Sequence, residues 1–179
     1  GAGGAGVGGQ AAPNYEMEVL YVKRKPNSME SAALDPNHTH FILVDNGKDE
    51  YGGEIQLRGS IEQALSERFR VPSVLLVVQG GLGTYATVRR GTEIGQRVVL
   101  VKESRGAAQV IAEYIEPLLP EADHLVTLHP DELEKRLKLR DSEFASRMAK
   151  LNRKLDHEAV TKALHKIAER LDLFSVFSV

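Results

Sequence analysis

Four short apolar runs constrain this chain more than any other feature: Phe41 to Val44, Val74 to Val78, Val98 to Val101 and Leu125 to Leu128. Each ends in glycines or polar residues, and helix-like segments separate them. Between the first two runs Ile61, Leu65 and Phe69 recur every four residues. Either Ser60 and Gln63 form a capping box there, or the helix begins near Glu54 and tolerates Gly59 inside it. Thr84 to Ile94 is expected as a short helix stopped by Gly95. Ala107 to Leu119 carries Val110, Ile111, Tyr114, Ile115 and Leu118 at helical spacing and is closed by Pro120. The resulting βαβαβαβ alternation predicts an α/β fold, a Rossmann-like parallel sheet with helices on both faces and right-handed crossovers. Its strands are expected to end near Asp45, Gln79, Lys102 and His129.

The flanks differ in composition. Residues 1–14 are almost all Gly and Ala, which order poorly because they lose backbone entropy and bury few side chains. The core is expected over residues 15–130, with a strand candidate at Tyr15 to Val22 and turn-rich, charged sequence from Lys23 to Asn37. A helical extension is expected over 131–179. Pro130 suits a helix start, and Leu151, Leu155, Val160, Leu164, Ile167 and Leu171 mark one face of a long amphipathic helix. The cations around it, Lys150, Arg153, Lys154, Lys162, Lys166 and Arg170, read as a solvated face rather than a lipid or partner site.

Charge narrows the choice of partner. Lys and Arg number 23 against 25 Asp and Glu, a net charge of −2, so nothing draws the chain globally to nucleic acid or membrane and any anion site must be local. The absence of cysteine removes disulfides and thiolate metal sites. The longest apolar run, Val74 to Val78, falls far short of the roughly 20 residues that span a bilayer. His38 and His40 alternate along an extended segment and could share a metal, but the chain has no cysteine and offers no obvious third ligand.

Ligands of open α/β sheets collect at the carboxyl ends of the strands, where the following helices present unpaired N–H groups. Three successive strand ends suit a phosphate. The first reads Asp45-Asn46-Gly47, the second Gly80-Gly81-Leu82-Gly83-Thr84, and the third Ser104-Arg105-Gly106. Glycines let amides approach an anion, Thr84 and Ser104 add hydroxyls, and Arg105 adds a forked cation.

The stretch Asn37 to Gly47, NHTHFILVDNG, followed by Tyr51-Gly52-Gly53-Glu54-Ile55-Gln56-Leu57-Arg58, resembles "NHSHFILVDDG" and "YGxExxLR" of melastatin-type transient receptor potential (TRPM) cation channels. Gly80 to Thr84 is similar to their Gly-Gly-Pro-Gly-Thr turn, and Leu173 to Phe177 to the "LLTVF" that follows their N-terminal SLOG domain. The resemblance runs in order from Asn37 to the C-terminus. It implies the second half of a SLOG (LSDAT-type) domain with following helices, on the cytosolic face of a calcium-permeable channel. It also implies ADP-ribose or a related nucleotide as ligand, with no required cofactor, and other channel subunits or the missing first half of the domain as partners. In members that sense ADP-ribose, positions matching Tyr51 and Arg58 contact the ligand, as does an Arg in a "GSGR" turn. An ungapped alignment sets Gly106 rather than Arg105 against that last Arg.

Two other functions compete with ligand sensing. Related lysine-decarboxylase-like enzymes cleave nucleotides at the N-glycosidic bond with a Gly-Gly-x-Gly-Thr-x-Glu-Glu string, but Ala86 and Thr87 stand here in place of its carboxylates. General acid–base help worth roughly 10²- to 10⁴-fold would be missing, so the chain is expected not to be an enzyme. The other is an assembly module without a ligand.

Overall fold

The computed structural model describes residues 34–44, 52–151 and 157–178. The Gly/Ala-rich start, the strand candidate Tyr15 to Val22, the Asp45-Asn46-Gly47 turn and Tyr51 lie outside the described residues. The chain divides into two units, 1–42 and 43–179. In the first, Asp35 organises a turn by accepting from the backbone N–H of Asn37 at 2.9 Å and pairing with His38 at 3.3 Å.

In the second unit the helix–strand alternation takes shape. Helix α1 spans Ile55–Phe69 from an N-cap at Glu54, so the second of the two sequence alternatives holds. Gly59 is buried inside it because α2 crosses there: a Cβ at Gly59 would stand 2.9 Å from Cγ and Nε of Arg90. Ser60 lies in mid-helix and donates to the Gln56 carbonyl at 3.1 Å instead of capping. Strand β1 (Val74–Val78), helix α2 (Leu82–Glu93) and strand β2 (Arg97–Val101) follow, with both strands ending one residue from the expected ends. Helix α3 covers Gly106–Ile115 and passes into a 3-10 segment, Glu116–Glu121. A single-turn helix α4 (Ala122–Leu125), a long α5 (Pro130–Leu151) and α6 (His157–Ala168) lead to β3, Phe174–Phe177.

The sheet is parallel with order β1-β2-β3; Val74 pairs with Arg97, and Val98 with Phe174. Two expected strands are corrected here. Leu125 to Leu128 is the end of α4 and a turn, closed by bonds from Val126 N–H to Ala122 O at 3.0 Å and from Leu128 N–H to Leu125 O at 3.2 Å. A four-residue apolar run does not distinguish a strand from a helical turn, and here the turn buries Leu125 in the core. Phe41 to Val44 forms no strand among the described residues; all four side chains are exposed, Ile42 to 73%. The third strand is instead Phe174–Phe177, so the C-terminal region adds a strand to the sheet as well as helices.

The core lies where α3 and α6 meet β2. Val98, Leu100, Ala108, Ile111, Ala112, Ile115, Leu164, Ile167 and Ala168 are fully buried. Helix α5 adds Leu133, Leu137 and Phe144, and the edge of the Tyr114 ring meets Phe144 with centroids 4.8 Å apart. His165 on α6 bonds both oxygens of Asp141 on α5 at 3.0 Å, and the Tyr114 hydroxyl donates weakly to the same carboxylate at 3.4 Å. Burial, and then the Asp141 charge, push the Tyr114 phenol up. On β1 the two faces differ: Leu75 and Val77 are covered, while Val74, Leu76 and Val78 are 55%, 63% and 54% exposed.

Candidate functional site

The turns leaving β1 and β2 meet at the carboxyl end of the sheet and are bonded to each other. Ala107 N–H donates to Gly80 O at 3.0 Å and Ala108 N–H to Gln79 O at 2.8 Å. The Ser104 hydroxyl donates to Val101 O at 2.6 Å and accepts from Gln79 N–H at 2.7 Å. The backbone there is left-handed at Gln79 (φ 58°), Gly80 (φ 93°), Arg105 (φ 71°) and Gly106 (φ 62°). Gly106 could not be another residue without displacement, since a Cβ would lie 2.5 Å from Gly80 O. The start of α3 is therefore filled by the neighbouring turn, and its Ala107 and Ala108 amides are not free for a ligand.

The start of α2 is open. Its N-cap, Gly81, offers no side-chain cap, and Thr84 N–H is satisfied by Gly81 O at 3.1 Å. The amides of residues 82 and 83 find no backbone acceptor in that turn, as at any helix start without a cap. A Cβ at Gly81 or Gly83 would meet nothing within 4 Å, so neither glycine is required by crowding from the protein itself. Among the described residues, the N-terminal end of the 12-residue α2 thus presents N–H groups without a backbone partner and the positive end of its dipole to open space. The Thr84 side chain folds back over Gly80, where a Cβ would come within 2.3 Å of its Oγ1.

Cations approach from two sides. Arg58 on α1 reaches α2, donating from Nη2 to Thr87 Oγ1 at 3.0 Å, and its Nε is 3.5 Å from Glu62. Thr87 lies three residues beyond Thr84, about 4.5 Å further along the helix axis, so Arg58 meets α2 about one turn in from its start. Glu62 in turn accepts from Gln96 Nε2 at 2.8 Å, and Gln96 also donates to Ser73 Oγ at 2.6 Å, which ties Arg58 into the frame. Arg105 is exposed and has no ion pair among the described residues. Its backbone, at φ 71° and ψ −169°, occupies a region nearly reserved for glycine. That conformation costs about 1–3 kcal/mol, and the bonds between the two turns hold it in place.

Beside the open turn, Tyr85 points inward. It is 5% exposed, its hydroxyl has no partner among the described residues, and burial pushes its phenol up to about 12. It lines a groove of about 360 Å³ between α2 and α6 together with Leu82, Ala86, Arg89, Ala159, Val160 and Ala163.

Of the residues singled out in the sequence, Gly80, Gly81, Gly83, Thr84, Ser104, Arg105 and Gly106 come together, and Arg58 comes to the same helix. Asp45 and Tyr51 lie outside the described residues. The expected hydroxyl of Ser104 already has two protein partners, and Gly106 packs against backbone. Sequence reading missed Gln79, whose left-handed backbone joins the turns, and Thr87, which receives Arg58. Neither carries a signal in its residue type; Gln seldom adopts positive φ.

The family model described as "SLOG in TRPM" matches residues 10–168. Rat transient receptor potential cation channel subfamily M member 2 is 33% identical over 153 residues, 80% of this chain and 10% of the rat protein. The mouse protein of the same name is 40% identical over 89 residues, 45% of this chain and 6% of its own length. A subfamily M member-like 2 protein of Nematostella vectensis is 36% identical over 109 residues, 55% of this chain and 7% of its own length. The chain spans about a tenth or less of each of these relatives. No described helix is long and apolar enough to cross a membrane. With a family match that covers most of its length, and a parallel sheet consistent with it, this chain belongs to the family of SLOG domains found in TRPM channels.

Proposed function

We propose that this chain is a cytosolic ligand-sensing domain of a TRPM-like, calcium-permeable cation channel, and that it binds ADP-ribose or a related diphosphate nucleotide. The observation that carries this reading is the uncapped start of α2, where Gly81 and Gly83 border open space. In this reading the phosphates lie against the amides at 82 and 83 and the Thr84 hydroxyl. Arg58 and Arg105 supply charge, Tyr51 stacks on the ligand, and Asp45 borders the pocket. Arg58 must exchange its contacts with Thr87 and Glu62 for phosphate, whereas Arg105 has no ion pair among the described residues to break.

The chain acts as a receptor and not as an enzyme in this reading. Ala86 and Thr87 hold the positions of the glycosidase carboxylates, and Thr87 is occupied by Arg58. An assembly module without ligand is the second reading, favoured by the exposed apolar face of β1 at Val74, Leu76 and Val78.

Isothermal titration with ADP-ribose at fixed salt tests the proposal. A charged hydrogen bond contributes roughly 1.5–3 kcal/mol, so Arg58→Ala is expected to weaken binding by about 10- to 150-fold. Arg58→Lys should recover only part of it, because the fork is lost. A wild-type chain that binds none of the nucleotides offered would leave the assembly module.

A further inference from the structure

The hydroxyl of Ser104 is half-buried, belongs to the third turn, and touches two atoms of the other segments at the sheet end. It donates to the carbonyl of Val101, the last residue of β2, and accepts the N–H of Gln79, the first residue after β1. Gln79 is a non-glycine residue at φ 58°, a conformation that needs support from its surroundings. Its carbonyl is held in turn by the Ala108 N–H, and the next carbonyl, Gly80 O, by the Ala107 N–H. From Gly80 the chain passes directly into Gly81, the N-cap of α2. The direction in which α2 presents its free amides is therefore set by a peptide clamped on one side by α3 and on the other by one serine hydroxyl.

We propose that Ser104 is a positioning residue: it holds Gln79 in its left-handed conformation and so fixes the turn from Gly80 to Gly83 before any ligand arrives. Its consequence for affinity rests on the nucleotide reading above; the clamp itself does not. Ser104 makes no ligand contact in this account, because its donor and an acceptor lone pair are already engaged within the protein.

The test is residue-resolved amide hydrogen exchange on the ligand-free 179-residue chain, comparing wild type, Ser104→Ala and Ser104→Thr. Gln79 N–H in Ser104→Ala is expected to exchange about 3- to 10-fold faster than in wild type, the range for loss of one ordinary hydrogen bond. Ser104→Thr, which keeps the hydroxyl, should restore protection, while the amides of Val98 and Leu100 in the core stay as in wild type. Unchanged exchange at Gln79 in Ser104→Ala, or equal acceleration at Gln79, Val98 and Leu100, would overturn the proposal. Titration of the same three proteins with ADP-ribose gives the second arm: Ser104→Ala should bind about 2- to 10-fold more weakly and Ser104→Thr close to wild type. Equal affinity in wild type and Ser104→Ala would refute the effect on binding. A wild type that ignores ADP-ribose would remove the nucleotide reading, and the exchange arm would still decide the clamp.

Discussion

The turns after β1 and β2 are both glycine-bearing strand ends leading into helices, yet they do opposite things. The turn at Ser104-Arg105-Gly106 is filled: its hydroxyl, its glycine and the amides that follow it are all engaged with the neighbouring turn. The turn at Gly80 to Thr84 accepts that support and leaves the start of its own helix uncapped among the described residues. The difference divides four glycines into two kinds. Gly80 and Gly106 are required by backbone conformation and crowding, so folding alone accounts for them. Gly81 and Gly83 meet no such requirement, and what their missing side chains spare is open space in front of helix amides. Glycine in a strand-end turn therefore points to a ligand only where the protein itself makes no use of the gap.

That division can be broken experimentally, beginning where the effect should be largest. Gly106→Ala forces a Cβ against a backbone carbonyl at positive φ and is expected to cost about 3–5 kcal/mol in urea unfolding. A cost under about 1 kcal/mol would mean that the two turns are not locked. Gly80→Ala meets the Thr84 side chain rather than backbone, and a side chain can rotate away, so its cost should be smaller, about 1–3 kcal/mol, from the φ of 93° that remains.

Within α2 itself, Tyr85→Phe removes a buried hydroxyl that has no partner among the described residues and should stabilise the chain by about 1 kcal/mol. The same variant has a pH signature. Burial raises the folded-state phenol from 10.0 to about 12, so the folded chain holds this proton more tightly than the unfolded one. The stability it confers is complete below pH 10 and declines as pH rises towards 12. Urea titrations across that window should show a shallower decline in Tyr85→Phe than in wild type; parallel curves would mean that the phenol is not desolvated in solution.

The smallest change in stability is the most telling for function. Gly83→Ala sits in a helix with room for its Cβ and should stabilise the ligand-free chain by about 0.5–1 kcal/mol, while weakening ADP-ribose binding by crowding the amides. Stability and affinity rising together would show that the space before α2 is not a ligand site.

Much of this organisation was legible in the sequence. The apolar runs at Val74 and Val98 became β1 and β2, and Gly95, Pro130 and the spacing of Val160, Leu164 and Ile167 marked elements where they occur. The long helix expected through Leu171 instead stops at Ala168, and Leu171 opens a 3-10 turn. The run at Leu125 misled because four apolar residues fit a buried helical turn as well as a strand. Phe174 to Phe177 was read only as a family likeness at the end of a helical extension, since pairing with β2, more than 70 residues earlier in sequence, leaves no local signal.

What the sequence by itself determined is local: which segments can be helix or strand, which turns carry glycine, and, through the ordered blocks from Asn37 to Phe177, the family to which they belong. Tertiary structure decided which of those turns is open. It set Arg58 against Thr87, gave both ends of the Ser104 hydroxyl to the protein, and made Gly106 a packing residue one position from a strained Arg105. Residue type declares the contacts a side chain is able to make. Whether a helix end is already filled depends on which other backbone is brought within 3 Å of it, and only the assembled sheet fixes that.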